Sequence, residues 1–280
     1  MKYQEWLHNW IENYIQPTAK SRTFSRYADV STQHIIPKLG EYELDDLTPD
    51  ILQRYVTELL QSGNIRTGKG LSSSSVCVII SVIQNSLKTA FALGYATEYT
   101  ANRIKRPKAR EKNVECFSVA EQKQIEKAVL NSPKDKLFGV LLCLYTGLRV
   151  GELLALTWAD IDFQKGIINV NKSCHDGKGV DETYTRIDDT PKTASSRRLI
   201  PLPTQLLPYI KEIKKKSHSP YVVSNGDSFV SVRSYQETFN LLLKRLKIKH
   251  RGFHSSRHTF ATRALECGMD VKSLSEILGH

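Results

Sequence analysis

Apolar positions in the first hundred residues recur at the spacing of helices joined by short polar connections. Thr48-Pro49-Asp50 places an N-cap residue before a proline at the first helical position, and Ile51, Leu52, Tyr55, Val56, Leu59 and Leu60 then repeat at helical spacing. A polar, glycine-bearing loop runs from Ser62 to Gly70. Beyond it Val76, Ile79, Ile80, Ile83, Leu87, Ala90 and Phe91 mark a longer helix that Gly94 is placed to end. Earlier amphipathic helices near Tyr3 to Tyr14 and Arg22 to His34 complete an all-helical unit.

From Tyr99 to Glu115 the periodicity lapses and basic residues surround Pro107, so an extended linker is expected there. The pattern predicts three parts: a helical domain over 1–102, a basic linker over 103–115 and a second domain over 116–280. The last opens on Ser118-Val119-Ala120-Glu121, a capping box, with helices through Leu130 and from Lys134 to Tyr145. Gly166 to Val170, Thr183 to Ile187 and Arg198 to Pro201 read as short strands. Helices resume over Thr204 to Lys215, Ser231 to Leu246, Ser255 to Cys267 and Val271 to Leu278. The expected fold is mainly α, with one small antiparallel β-sheet in the second domain.

Composition narrows the class. With 280 residues and 40% hydrophobic positions the chain has material for packed cores. The longest nearly apolar run, Leu137 to Leu148, is too short to cross a bilayer, and the N-terminus lacks a signal peptide's apolar stretch, so a soluble cytoplasmic protein without membrane contact is expected. Five widely spaced cysteines (Cys77, Cys116, Cys143, Cys174 and Cys267) with no CxxC pair read as reduced, buried, inert thiols. The net charge of +11 is unevenly spread: residues 1–115 carry an excess of +3 and residues 116–280 an excess of +8. It is also bunched, at Arg103, Lys105, Arg106, Lys108, Arg110 and Lys112, at Lys211 and Lys214 to Lys216, and from Lys244 and Arg245 to Arg251. Bunching of this kind favours an anionic polymer such as nucleic acid as partner.

Two motifs are decoys. Gly63 to Lys69 matches the opening of a phosphate-cradling loop, but Gly70 stands where a Ser or Thr must hold magnesium, and the segment follows a helix. His250, His254 and His258 recur every four residues, yet Gly252 should break the helix between the first two, and no nearby Cys completes a tetrahedral set. No carboxylate cluster suits two divalent metals, so no metal site is expected.

What remains is a set of charged residues among apolar helices. In Thr146-Gly147-Leu148-Arg149-Val150-Gly151-Glu152, arginine and glutamate three apart are expected on one helical face, and taken alone they make an ordinary surface ion pair. His254 and Arg257 are likewise spaced to point together. Jointly, two arginines and a histidine are what a protein needs to grip a phosphodiester without a metal, because each guanidinium can donate paired hydrogen bonds to non-bridging oxygens.

These motifs, with Pro191-Lys192-Thr193, Ser196 to Leu202, His254-x-x-Arg257-His258-Thr259-Phe260-Ala261 and Leu278-Gly279-His280, stand in an order that resembles the tyrosine recombinases of the phage integrase family. Residues 1–100 resemble that family's helical, SAM-like core-binding domain, and the remainder its mixed α/β catalytic domain. The resemblance implies a site-specific recombinase that breaks and rejoins DNA by two transesterifications through a 3′-phosphotyrosyl intermediate, without cofactor or metal. It implies that Arg149 and Arg257 clamp the scissile phosphate. Lys192 would protonate the leaving 5′ oxygen, His254 would exchange a proton with the nucleophile, His280 would donate a hydrogen bond to the phosphate, and Glu152 would orient its neighbours. It also implies double-stranded DNA as partner, a homotetramer on paired recombination sites, and a nucleoid-associated location. Lys69, Arg103, Lys105, Arg106, Lys108, Arg110, Lys244 and Arg245 are the expected DNA contacts.

The family's nucleophilic tyrosine lies roughly ten residues beyond the equivalent of His280. The chain is therefore expected to be truncated before it, binding DNA without cleaving. A non-catalytic DNA-binding relative of the fold and a type IB topoisomerase-like enzyme are the alternatives.

Overall fold

A computed structural model describes residues 1–108, 115–132, 135–178, 184–189 and 197–279. The chain divides into two compact units, Met1–Lys112 and Asn113–His280.

The first unit is helical throughout. Helix α1 (Tyr3–Trp10) runs into a single π-helical turn at Ile11–Ile15, α2 (Ser21–Val30) into another at Ser31–Ile35, and α3 (Ile36–Leu39) is one short turn. Longer helices α4 (Pro49–Ser62) and α5 (Ser73–Ala92) follow, each started by a hydroxyl cap: Thr48 accepts from the Ile51 N–H and Ser72 from the Ser75 N–H. On α1, Tyr3, Trp6, Leu7 and Trp10 recur at intervals of three and four and are all buried. They meet Val76, Ile79, Ile80, Ile83, Leu87 and Ala90 of α5 in one core. Helix α5, rather than the run from 137 to 148, is long and apolar enough to cross a membrane, with a mean hydropathy of 1.4. Its apolar face is that core.

Residues 103–108 pack on this unit. Ile104 is buried in its core, the Lys105 N–H donates to Gln53, Arg106 donates to Ser81 and Gln84, and Arg103 pairs with Glu98.

The second unit surrounds α7 (Phe138–Thr146), whose residues are apolar on every side and nearly all buried. Helix α6 (Val119–Leu130) begins with the expected capping box, Ser118 and Glu121 each accepting the other's backbone N–H. After α8 (Val150–Ala155) the described residues form three small antiparallel sheets rather than the one expected. Strands β1 (Ile161–Asp162), β2 (Ile167–Val170) and β5 (Arg198–Pro201) join in the order β1-β2-β5, with Ile168 opposite Ile200 and Val170 opposite Arg198. Strands β3 (Ser173–Lys178) and β4 (Tyr184–Asp189) make a separate hairpin. Then come α9 (Leu207–Lys216), a two-residue pair β6 (Ser224–Asn225) and β7 (Ser228–Phe229), and the helices α10 (Val232–Arg245), α11 (His254–Glu266) and α12 (Val271–Leu278).

Close approaches tie these pieces together. A Cβ on Gly151 would sit 2.4 Å from the Cys174 carbonyl, so only glycine lets α8 lie against β3. The Asp176 carboxylate of β3 accepts the N–H groups of Val232 and Arg233 at 2.9 and 2.8 Å, adding an anion to the N-terminus of α10. All five cysteines are free, but only Cys143 and Cys174 are buried. Cys77 and Cys116 are half-buried and Cys267 is exposed, because it follows the last turn of α11 at the surface.

Candidate functional site: an arginine cluster around one carboxylate

The site begins where α7 ends. Gly147 adopts φ +67°, and a Cβ there would meet Phe260 at 2.6 Å and Leu278 at 2.7 Å, so both conformation and space require glycine. The turn delivers Arg149 to the start of α8, where the expectation of a shared helical face fails. Arg149 has extended backbone (φ −73°, ψ 151°) and is the N-cap, while Glu152 is the third helical residue. The Glu152 carboxylate reaches back to accept the Arg149 backbone N–H at 2.9 Å and its Nη1 at 2.8 Å. Nor is this a surface pair, since Glu152 is 5% exposed.

A second arginine, Arg198, which the sequence places at the start of a strand without a role in the site, completes that carboxylate's coordination. Arg198 donates Nη1 to Glu152 Oε1 at 3.0 Å and Nη2 to Oε2 at 2.8 Å, a bidentate pair with both side chains buried. Its Nε donates to the Ile277 carbonyl at 2.5 Å. The signal that could have found it is the alternation along β5: Arg198 and Ile200 point inward while Leu199 and Pro201 face solvent. An arginine at an inward strand position demands a buried anion.

Arg257 comes from α11. It is 3% exposed and donates Nη1 to the Gly147 carbonyl at 2.9 Å and Nη2 to the Leu278 carbonyl at 2.7 Å. One turn earlier His254 is the first residue of that helix, as the break at Gly252 predicts. Its ring stands edge-on to His258, with centroids 4.6 Å apart. No group of three His, Cys, Asp or Glu side chains able to hold a metal occurs among the described residues.

Helix α12 closes the cluster. It ends at Gly279 (φ +69°), and its last carbonyls, which no intrahelical donor satisfies, turn to the arginines. Ile277 accepts from Arg198, Leu278 from Arg257, and Gly279 from Arg149 Nη2 at 3.2 Å. The negative end of the helix thus faces three guanidinium groups. Arg149, with 36% of its side chain exposed, is the member open to solvent.

Burial pushes the Glu152 carboxyl up, but the hydrogen bonds and charges of Arg198 and Arg149 outweigh it and hold the group below the usual carboxylate range. Burial, reinforced by the neighbouring Arg149, brings Arg257 down to about 10, so it stays charged at neutral pH. Burial and the Arg257 charge also lower His258. Three guanidinium groups around one carboxylate leave two positive charges in excess, which makes the cluster a receptor for an anion.

The structure therefore brings together Arg149, Glu152 and Arg257, with His254 one turn from Arg257, and adds Arg198. Lys192 and His280 lie outside the described residues, as does Arg110. Of the expected DNA contacts, Lys69, Arg103, Lys105, Arg106 and Lys108 are exposed on the first unit, and Lys244 and Arg245 are exposed at the end of α10 in the second.

Comparison with known proteins follows the same division. Residues 117–280 match the model of the phage integrase family, and residues 2–60 match that of the phage integrase N-terminal SAM-like domain. A tyrosine recombinase XerC-like protein of Caldanaerobacter subterraneus subsp. tengcongensis is 30% identical across 98% of this chain and 75% of its own length. The tyrosine recombinase XerA of Pyrococcus furiosus is 31% identical across 76% of this chain and 68% of its own. Among solved structures, the Tn1549 transposon integrase in complex with transposon right end DNA superposes with a TM-score of 0.84 at 19% identity, covering all of this chain and 91% of that one. A lambda integrase tetramer bound to a Holliday junction gives 0.74 at 20% identity, covering all of this chain and 77% of that one.

Proposed function

The chain belongs to the phage integrase family, and from that premise we propose that it is a site-specific DNA recombinase whose phosphate clamp is the arginine cluster of the second unit. The observation that carries the reading is the convergence of Arg149 and Arg257, from two elements far apart in sequence, on the end of α12 in a cluster with surplus positive charge. In the proposed reaction the two guanidinium groups hold the scissile phosphodiester and offset the negative charge that grows on its non-bridging oxygens during transesterification. His254 exchanges a proton with the nucleophile. Lys192 protonates the leaving 5′ oxygen and His280 donates to the phosphate, roles assigned from the sequence motifs alone. Attack by a tyrosine hydroxyl breaks the phosphorus to 5′-oxygen bond and leaves a 3′-phosphotyrosyl ester. The freed 5′ hydroxyl of a partner strand then reverses that step, so bond energy is conserved and no cofactor enters.

Within these 280 residues the proposal assigns DNA gripping but not cleavage. The Tyr145 hydroxyl donates to Glu126, and burial raises it to about 12, while the buried Tyr235 hydroxyl donates to the Lys136 carbonyl. Both are engaged away from the arginines. Contacts to the duplex backbone are proposed for Lys69, Arg103, Lys105, Arg106, Lys108, Arg110, Lys244 and Arg245, with assembly as a tetramer on paired sites in the cytoplasm, on the nucleoid. The test is a nicked suicide duplex mixed with the 280-residue chain. A salt-sensitive, non-covalent complex without a covalent adduct is expected. An adduct would overturn the cleavage part of the proposal, and failure to bind duplex at low salt would overturn all of it.

A further inference from the structure

We infer that Arg198 is a positioning residue that holds the phosphate-gripping arginine available by occupying the carboxylate of Glu152. The inference rests on the reading of the cluster as a phosphate clamp and adds to it a residue that never touches the DNA.

Arg149 lies beside a carboxylate that, left to itself, would neutralise it. A guanidinium paired one to one with a carboxylate is a poor receptor for a phosphate, because the incoming anion must displace or be repelled by the existing one. Arg198 changes that balance. It takes both oxygens of Glu152 through a bidentate fork, so Arg149 shares Oε1 instead of owning the charge. The same guanidinium donates Nε to the Ile277 carbonyl, while the backbone of Arg198 stands opposite Val170 in the β2-β5 ladder. One buried side chain therefore joins β5, the start of α8 and the end of α12, the three places that set where Arg149 points. Its side chain is 5% exposed, which excludes it from direct contact with a duplex.

A buried bridge of this kind has a purely structural alternative, in which Arg198 only stabilises the fold. The two differ in what removing the Glu152 charge does. If Arg198 works by occupying Glu152, then Arg198→Met frees that carboxylate to neutralise Arg149, and adding Glu152→Gln lifts the block. Glutamine still accepts the backbone N–H of the N-cap, so the start of α8 survives.

The experiment measures binding of the 280-residue chain to a short DNA duplex across a salt series, with circular dichroism of each variant. Arg149→Ala should reduce the slope of log K against log salt by about one and weaken binding at low salt by about three- to tenfold, the signature of one lost phosphate contact. Arg198→Met should lower the slope by nearly the same amount although it removes no contact. The double variant Arg198→Met with Glu152→Gln should recover most of both losses, and Arg198→Lys, which keeps the charge without the fork, should retain the wild-type slope. A folded Arg198→Met with an unchanged slope, or a double variant no better than Arg198→Met, would overturn the inference. Should Arg198→Met fail to fold, Arg198→Lys decides: the wild-type slope supports the charge argument and a loss equal to that of Arg149→Ala refutes it. Unchanged slopes in both Arg149→Ala and Arg257→Ala would instead remove the clamp reading itself, whereas a loss confined to those two variants would remove only the role of Arg198.

Discussion

The two units solve one problem, that of polar groups inside an apolar core, by opposite means. In the first, the polar groups between α1 and α5 are neutral and bond to one another. Tyr3 and Ser86 share a hydrogen bond of 2.7 Å, Trp6 Nε1 donates to the Ser86 carbonyl at 3.0 Å, and Trp10 Nε1 donates to Thr89 at 3.2 Å. Nothing in that set calls for a ligand. In the cluster around Glu152 in the second, the groups are ions, and three guanidinium groups surround one carboxylate. Helix-end carbonyls of α12 supply acceptors but no full charge, so the cluster keeps an unmet preference for an anion. A neutral buried network rigidifies a scaffold, whereas an unbalanced ionic one stores recognition at a cost in stability.

The sharpest way to break this contrast is to delete the anion. Glu152→Ala leaves Arg198 buried with its bidentate partner gone, and loss of one member of a buried ion pair costs about 3–5 kcal/mol. The second unit should lose that much in denaturant unfolding followed by amide hydrogen exchange, with α8, α12 and β5 losing protection and α1 and α5 keeping theirs. Equal loss of protection in the two units would mean that they are not independent in stability, and the contrast would dissolve.

That experiment turns on residues of unequal legibility. Helices α4, α5, α6 and α12 could be read from the chain because their apolar spacing and caps, such as Thr48 and Ser118, are local. Arg149, Glu152 and Arg257 could be singled out because their motifs stand in a recognisable order. The environment of Glu152 could not be read. Whether an i, i+3 pair is exposed or buried is settled by Arg198, 46 residues away, and by carbonyls of α12. Arg198 was hidden for the same reason: its inward direction follows from the pairing of β2 with β5, which is non-local. The division into three small sheets was illegible because strands of two to six residues carry too little periodicity to reveal their partners. The π-helical turns after α1 and α2 have no sequence signal that sets them apart from ordinary helix.

Acid gives a milder form of the same perturbation. Protonating Glu152 removes its charge but keeps its shape, so the loss should be smaller than for deletion. Its carboxyl is held below the ordinary range in the folded protein, so its contribution to stability is complete above the unfolded value of about 4.3 and is lost as pH falls through the folded value. The buried network of the first unit has no group that titrates there. Exposed carboxylates of that unit, Glu41 and Asp45, are also lowered by their partners, but solvent screening makes their share small. Hydrogen exchange on lowering pH below about 4 should therefore open the second unit first. Glu152→Gln should narrow the gap between the units, and simultaneous opening of both in the wild-type chain would contradict the assignment of the ionic network as the acid-sensitive element.

The smallest expected effect lies in the neutral network. Tyr3→Phe removes one hydroxyl from a fully buried position without creating a large cavity, and Ser86 keeps its bond to the Ile83 carbonyl at 3.0 Å, so no donor is stranded. A loss of about 1 kcal/mol is expected, the usual net worth of a buried neutral hydrogen bond. Since burial raises the Tyr3 hydroxyl well above its ordinary value, it is un-ionised at both pH 5 and pH 8, and the loss should be the same at the two. DNA affinity and its salt slope should not change, because no charge is altered and the arginine cluster belongs to the other unit. A Tyr3→Phe effect that varied between those two pH values would mean that the scaffold's polar interior is coupled to ionisation after all, and the division of labour between a neutral scaffold and a charged receptor would fail on the side where it is expected to be cleanest.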